Sequence, residues 1–478
     1  MLSWAQSETD MLDFSYVNYQ GTAKSAAMGN AVGAIGSDFS GIAINPAGLG
    51  LFRKATFIYT PEFYITSTTS KYNGGNGFDR SFKLPMNNLG LTWTQDINEG
   101  ALKTVSFALG INTINNYAYS AYINGDNNHT SLVDAYFSEI YDNGVFDEYD
   151  LEDYSPNILY PLWQTYILNF DDDGNCYTPV PQGGLNQKYG VSKRGNSREF
   201  SFASGFNFNE KLYLGLSVNI PYFERKVNTE YKETNLFADD FKNWSQSEYL
   251  TSSGYGINAK FGAILYPAKW IRLGVAFHTP SIYGITDSWY TGTWSSFSDG
   301  SFSWESPVST YSYTITTPLH LNASAALIFG NFGMITGDYE YVDYSKMRAS
   351  SHNYDYTALN DFISETYKAT SNIRVGAEWR WQNLAFRTGY AINGSPFGFD
   401  KEDLKMTSYS CGFGYTYHRF TLDAAYVLSQ RKNSYDLYSQ YSLYPALYGE
   451  NNEFVDETKV KETTNINRVV ISFKFRLD

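Results

Sequence analysis

From about residue 55 to the end of the chain, apolar and polar positions alternate with a period of two, the mark of strands whose two faces meet different surroundings. The last segment is the clearest: Val469, Ile471, Phe473, Phe475 and Leu477 fall on one side, and Ser472, Lys474 and Arg476 on the other. Ile271, Leu273, Val275 and Phe277 alternate in the same way with Arg272, Gly274, Ala276 and His278. So do Ile373, Val375, Ala377 and Trp379 with Arg374, Gly376 and Glu378. One face is greasy and the other carries Gly, Ala and charge. Alternation alone fits a soluble sandwich and a membrane barrel equally, since either gives a strand two unlike faces.

The spacing of turns separates the two. Tight turns are expected at Asp96 to Gly100, Asn209-Glu210, Pro267 to Lys269, Gly330 to Gly333, Gln382-Asn383 and His418-Arg419. Between them lie long polar stretches near residues 68–83, 115–193, 229–250, 284–309, 347–368, 394–404 and 430–463. Short and long connections alternate strictly. The pattern predicts about fourteen antiparallel strands with every short turn and both ends of the chain on one side, as in outer-membrane barrels. Hydrocarbon forbids an open sheet edge, because each unpaired backbone group there is strongly disfavoured, so the sheet must close. In the longest connection, 115–193, a helix is expected over Ser131 to Tyr141: a capping-type Ser precedes Leu132, Ala135, Tyr136 and Ile140 at near-helical spacing.

Composition narrows the class further. Among 478 residues, 42 Tyr and 33 Phe bring the aromatic share to 18%, equal to the charged share. No apolar run approaches the roughly 18–20 residues a spanning helix needs, which excludes a helical membrane protein. A net charge of -14, with no run of Lys and Arg, argues against a nucleic-acid partner. Cys176 lies in an acidic loop and Cys411 inside a strand, so neither a disulfide framework nor a CxxC metal site is expected, and no cofactor is called for.

The first fifty residues follow another rule. Residues 1–5 read as the tail of a signal peptide, with Gln6 near the mature start. Ser25 to Gly36 and Ile42 to Leu49 are dominated by small residues, and Pro46 withdraws an amide from any ladder. Residues 6–51 are therefore assigned to a compact plug filling the lumen, and residues 52–478 to the barrel.

The stretch from Ala27-Met28-Gly29 to Asn45-Pro46-Ala47-Gly48-Leu49 resembles the hatch signature of the FadL/TodX outer-membrane transporters of long-chain fatty acids and aromatic hydrocarbons. Leu273 to Pro280 resembles that family's GxxYRTP strand end, with Phe277 and His278 in place of Tyr and Arg. Gly337 to Tyr344, Arg374 to Glu378 and Phe386 to Tyr390 are similar as well. The Tyr/Asn-rich loops look like Bacteroidetes-type members. The resemblance implies a hatch gated around Met28, Gly29, Asn45, Pro46, Ala47 and Gly48. It also implies sideways release through a wall opening at an inward kink of the third strand. That strand is expected over Ala101 to Thr113, with lumen-facing Gly110 the candidate for the kink.

Alternation also turns Arg272, His278, His320, Asp338, Glu340, Arg374, Glu378 and Arg387 towards the lumen. Charges of both signs brought together there should pair, bracing the wall and holding the hatch; recognition of a carboxylate or other polar head is the competing role. No Ser stands in a GxSxG elbow near any of the five His, so catalysis is not expected. Asn169, Asp171 and Asp173 match the first half of a calcium loop, but position twelve is Val180 rather than Glu, and an exposed acidic turn is the simpler reading. The aromatic segments Tyr435 to Tyr448 and Trp289 to Trp304 suit an interfacial girdle or a capture groove. The expected protein is thus a bacterial outer-membrane channel for passive uptake of hydrophobic small molecules, in contact with outer-membrane lipid. The alternative is a barrel serving as partner or shuttle in an outer-membrane protein-secretion or surface-assembly complex.

Overall fold

The structure, a computed structural model, describes residues 8–145, 147–398, 404–438 and 458–477. The expected leader remnant 1–5 and mature start, and residues 439–448 of the second aromatic segment, lie outside the described residues.

Fourteen antiparallel strands form the wall. In chain order they begin with β1 (Thr56–Tyr72), β2 (Gly75–Lys83 continuing as Met86–Glu99), β3 (Leu102–Asn116 continuing as Tyr119–Asn127), β4 (Leu185–Phe208), β5 (Leu212–Asn235) and β6 (Phe241–Ala268). Next come β7 (Ile271–His278 continuing as Ile282–Phe297), β8 (Ser309–Thr316 continuing as His320–Phe329), β9 (Gly333–Asp343 continuing as Arg348–Ser350) and β10 (Ala369–Trp381). Last are β11 (Leu384–Asn393), β12 (Met406–Tyr417), β13 (Phe420–Asp436) and β14 (Lys459–Arg476). β14 returns to β1, with Thr56 opposite Arg476 and Lys71 opposite Lys461, and this pairing closes the sheet. All six tight turns occur where the alternation placed them. At one of them Asn209 and Glu210 take positive φ (52° and 56°), which turns the chain within three residues.

Several stretches that read as long loops are strand instead. Residues 68–83 form a hairpin closed at Asn73-Gly74, and β5, β6 and β7 run far into 229–250 and 284–309. The apolar signal fades there because the outward face meets water rather than lipid, while inward residues such as Trp244 and Trp289 pack beneath the long connection and the backbone ladder continues. The longest connection therefore shrinks to 128–184. It holds α3 (Leu132–Asp142), α4 (Glu148–Tyr154) and α5 (Leu159–Gln164). α3 is the expected helix: the Ser131 hydroxyl accepts the Val133 N–H at 3.1 Å, and Asp134 accepts the Ser131 N–H at 2.8 Å, a capping box.

The two faces of the wall settle which way the barrel is turned. Outward positions keep Phe202, Leu216, Val218, Val275, Leu321 and Ile373 40–59% exposed. Inward positions bury Glu62, Glu199, Lys260, Glu340, Arg374 and Arg468 to 4% or less. A continuous apolar exterior around a charged interior is stable in lipid and unstable in water.

Inside the ring lies the N-terminal segment: α1 (Glu8–Ser15), α2 (Ala23–Ala27) and two short 3-10 turns, Ser40–Ala43 and Pro46–Leu51. It touches the wall on opposite sides, Pro46 lying against β5 and Gly29 against β11.

Among the described residues, the wall parts in its middle course between β2 and β3. β2 and β3 pair from Glu99–Leu102 up to Asn88–Asn112 and then part. Beyond that point β3 stays with β4, while Gly75–Lys83 pairs with β1 alone. The freed carbonyls of Thr113 and Ile114 accept N–H groups of the N-terminal segment, from Gln20 (3.3 Å) and Asn18 (2.8 Å). Tyr119–Asn127 then passes on the lumen side of the β1–β2 hairpin: the Thr66 hydroxyl donates to Ala118 O at 3.0 Å and that of Ser70 to Tyr122 O. The departure thus lies at Thr113 to Ala118 and not at Gly110, which sits opposite Gly90 in an unbroken ladder. Gly110 has another use, since a Cβ there would stand 2.4 Å from the Phe39 ring.

Candidate functional site: the lumen around the N-terminal segment

Asn45 shows how the segment is held. Its Oδ1 accepts the Ala47 N–H at 3.1 Å and so caps the Pro46–Leu51 turn, whose first position suits a proline lacking N–H. Its amide nitrogen donates to Gly33 O at 2.8 Å and reaches Ala263 O of β6 (3.4 Å) and Val275 O of β7 (3.3 Å). One side chain therefore ties two parts of the segment to each other and to the wall. Ala47 and Gly48 are buried beside it, and a Cβ on Gly215 would lie 2.1 Å from the Pro46 carbonyl carbon. Met28 is fully buried and Gly29 adopts φ 63°; a Cβ on Gly389 would fall 2.2 Å from the Gly29 nitrogen. Small residues on both sides let backbone rest on backbone.

A buried segment with so little helix has many carbonyls without partners, and each needs a donor. Wall cations supply them. Lys260 donates to Ala43 O (3.0 Å), Arg272 to Ile35 O (2.8 Å), Arg468 to Gln20 O (2.5 Å) and Lys474 to Ser37 O (3.2 Å). His278 Nε2 lies 2.8 Å from Ile44 O, and with the opposite polarity Asp338 accepts the Gly33 N–H at 2.9 Å. Countercharges stand alongside: Glu199 is 2.5 Å from Lys260, and Glu62 takes both Arg468 and the Asn87 amide.

The remaining expected lumen residues gather in two clusters. Glu340 receives Arg374, with His320 Nδ1 at 2.9 Å and Asn372 at 3.0 Å. Glu378 receives Arg387 and Arg380, each at 2.6 Å, and Arg387 continues to Asp423 at 2.7 Å. His278 and His320 stand opposite each other in the β7–β8 ladder with ring centroids 6.1 Å apart. Each of the eight charged or imidazole side chains singled out by alternation is thus engaged with another wall residue or with the segment. Glu62, Glu199, Lys260, Asp423 and Arg468 escaped the sequence reading. Arg468 had a signal: it lies two alternation steps before Ser472 on the polar face of the last strand. The others become visible only through cross-strand register.

Towards the long-loop end, α1 is clamped by Arg225. Its guanidinium, 1% exposed, meets Asp10 at 2.5 Å and Asp13 at 2.9 Å and stacks on the Phe14 ring at 4.5 Å. Lys193 adds a second contact to Asp13 at 3.0 Å. Two small cavities flank the segment. One is lined by Phe14, Tyr16, Glu199, Lys260, His278 and His320, the other by Tyr19, Asn30, Arg374, Asn393, Ser410 and Arg468. Both mix polar and apolar side chains.

Above the lumen, α3–α5 and the extended strand ends share a hydrophobic core that includes Ile140, Leu162, Trp244, Trp289 and Phe297. Glu233 is its polar centre, accepting from Trp244 Nε1 (2.8 Å), Ser131 Oγ (2.6 Å), the Leu132 N–H (2.9 Å) and Gln187 (2.8 Å). Trp289 and Phe297 therefore belong neither to a membrane girdle nor to a capture groove. β7 continues above the membrane, and its alternate residues insert into this cap. Exposed Trp270, Trp379, Trp381 and Tyr417 at the short-turn end have the place a girdle requires. Burial drives the Asp134 carboxyl of the cap up to about 7, with the neighbouring Glu233 charge adding to the shift.

The calcium candidate is an internally satisfied turn. Asp171 Oδ1 accepts the N–H groups of Asp173 (3.0 Å) and Asn175 (2.8 Å), and Asn175 holds its carboxyl below the ordinary value. Among the described residues no three His, Cys, Asp or Glu side chains are placed to hold a metal ion.

No family model and no curated relative matches the chain. Solved structures do. The chain is similar to a Pseudomonas aeruginosa FadL homologue (12% identity, TM-score 0.56, covering 97% of this chain and 99% of that one). It is similar also to the Pseudomonas putida toluene transporter TodX (11%, 0.54, 96% and 99%) and to the Ralstonia pickettii toluene transporter TbuX (15%, 0.50, 96% and 100%). At such identities the likeness is one of fold. The chain has, over nearly its whole length, the barrel architecture of these transport proteins.

Proposed function

We propose that the protein is a bacterial outer-membrane channel for passive uptake of hydrophobic small molecules, in which the N-terminal segment is the hatch and cargo leaves sideways between β2 and β3. The observation that carries this reading is the parting of those strands after Asn88–Asn112, at a level where the segment itself bonds to the freed edge of β3. Cargo released there enters lipid without crossing the polar plug, and any shift of the segment alters the opening directly. Long-chain fatty acids or similar molecules are the proposed cargo. The solved proteins of like fold, two of them toluene transporters by name, support the class.

The test is uptake of labelled oleate and of toluene by cells making the wild type or a variant whose opening is stapled. Asp79 and Ser120 already share a hydrogen bond across it, so D79C/S120C with C411S should form a disulfide there. Oxidised cells are expected to lose uptake and reduced cells to regain it. Absence of uptake of both probes by the wild type, with no hydrophobic molecule co-purifying, would remove the transport reading.

A second reading, a barrel partnering another protein in secretion or surface assembly, draws support from the cap, whose packed core closes the long-loop end as a folded surface rather than loose loops. Stable capture of one outer-membrane protein, lost on removal of residues 128–184, would favour it.

A further inference from the structure

The outward face of β4 and β5 changes character over a short distance. On β5, Leu214, Leu216, Val218 and Ile220 are each 38–45% exposed. On β4, Phe202 and Phe200 continue the same apolar band. Directly above it the outward positions turn cationic: Arg198 and Arg194 on β4, Lys226 on β5, and higher still Lys188 and Lys232.

Register sets these charges against one another. Arg194 stands opposite Lys226, and Lys188 opposite Lys232. Like charges directly across a ladder are destabilising, and in a chain of net charge -14 they are not forced by composition. Lys226 also meets Glu224 at 3.0 Å, with both side chains about half exposed, and Glu230 lies opposite Gly190. Five cations thus share the face with two carboxylates. The Nε of Arg198, first above the apolar band, is buried and has no hydrogen-bond partner. Lys83, on β2 across the recessed β3, lies within electrostatic reach of Arg194.

A cationic row on the rim of a lipid-facing apolar band sits at the depth of outer-leaflet headgroups, where phosphate is the complementary group. We propose that the face formed by Arg194, Arg198 and Lys226, flanked by Lys188 and Lys232, is a binding site for a phosphorylated glycolipid of the outer leaflet. The acyl chains lie on the Phe200 and Ile220 surface and the phosphate bridges β4 to β5. The site lies beside the β2–β3 opening and is independent of what passes through it.

Full-length protein in detergent, incubated with bisphosphorylated lipid A or its dephosphorylated form, is examined by native mass spectrometry. The wild type is expected to retain the phosphorylated lipid at least tenfold better, and R194E/K226E to lose that preference while keeping the heat-modifiable gel migration of a folded barrel. R194Q/K226Q replaces it should the reversal not fold. Equal retention of both lipids by the wild type, unchanged preference in the folded variant, or displacement of the lipid by inorganic phosphate at equal concentration would each overturn the proposal.

Discussion

The lumen segment and the cap at the long-loop end belong to one barrel, yet apolar packing and polar contacts hold them in different proportions. The cap has a conventional core of large side chains, Ile140, Leu162, Trp244 and Phe297 among them, with one buried carboxylate, Glu233, at its centre. The N-terminal segment, rich in Gly and Ala, has only small apolar clusters, such as Phe39, Ile42 and Leu49, and several of its carbonyls end on Lys260, Arg272, Arg468 and Lys474 of the wall. A hydrophobic core holds together by excluding water. Polar contacts between segment and wall can be exchanged for water where water enters, each charged hydrogen bond contributing about 1.5–3 kcal/mol net. Under the proposed gating, the piece that moves is the one tied to its surroundings by polar contacts that water can replace.

The largest expected effect comes from removing the segment. A chain lacking Gln6 to Gly50 should fold into a barrel with a large, constant conductance in planar bilayers, while one lacking 128–184 should stay electrically silent; equal conductance of the two would end the contrast. Next is Arg468→Ala, which strands buried Glu62 and withdraws the donor from Gln20 O. Breaking such a pair costs about 3–5 kcal/mol, to be read as faster hydrogen exchange over residues 18–30 with the cap unchanged. The reciprocal change, Leu162→Ala, should cost about 2–5 kcal/mol, appearing as faster proteolysis within 128–184 at unaltered conductance.

The smallest effect sharpens the electrostatic side. Burial raises the folded-state Asp134 carboxyl to about 7, above its unfolded value. The folded cap therefore holds that proton more tightly, and its stability falls as pH rises from about 4 to about 7 and then levels. Cap proteolysis rates measured across that range should show the decline, and Asp134→Asn should flatten it.

How much was legible follows from what each feature depends on. Alternation in β7, β10 and β14, with the tight turns between strands, is local and set by side-chain transfer into lipid or lumen, so strand count, closure and the polar interior were readable from order alone. The α3 cap was readable too, because a capping box closes within four residues. Small residues around Asn45-Pro46 marked a tightly packed segment. Their partners Gly215 and Gly389 lie far away in order, and only the fold identifies them. Tertiary structure alone decided three things. It placed the strand departure at Thr113 to Ala118 rather than at Gly110, since which strand pairs with which is a contest between long-range ladders. It sent Trp289 and Phe297 into a cap, because β7 outruns the membrane that gives alternation its usual meaning. And it set Arg194 against Lys226, two charges 32 residues apart in order that become neighbours only when β4 and β5 lock into register.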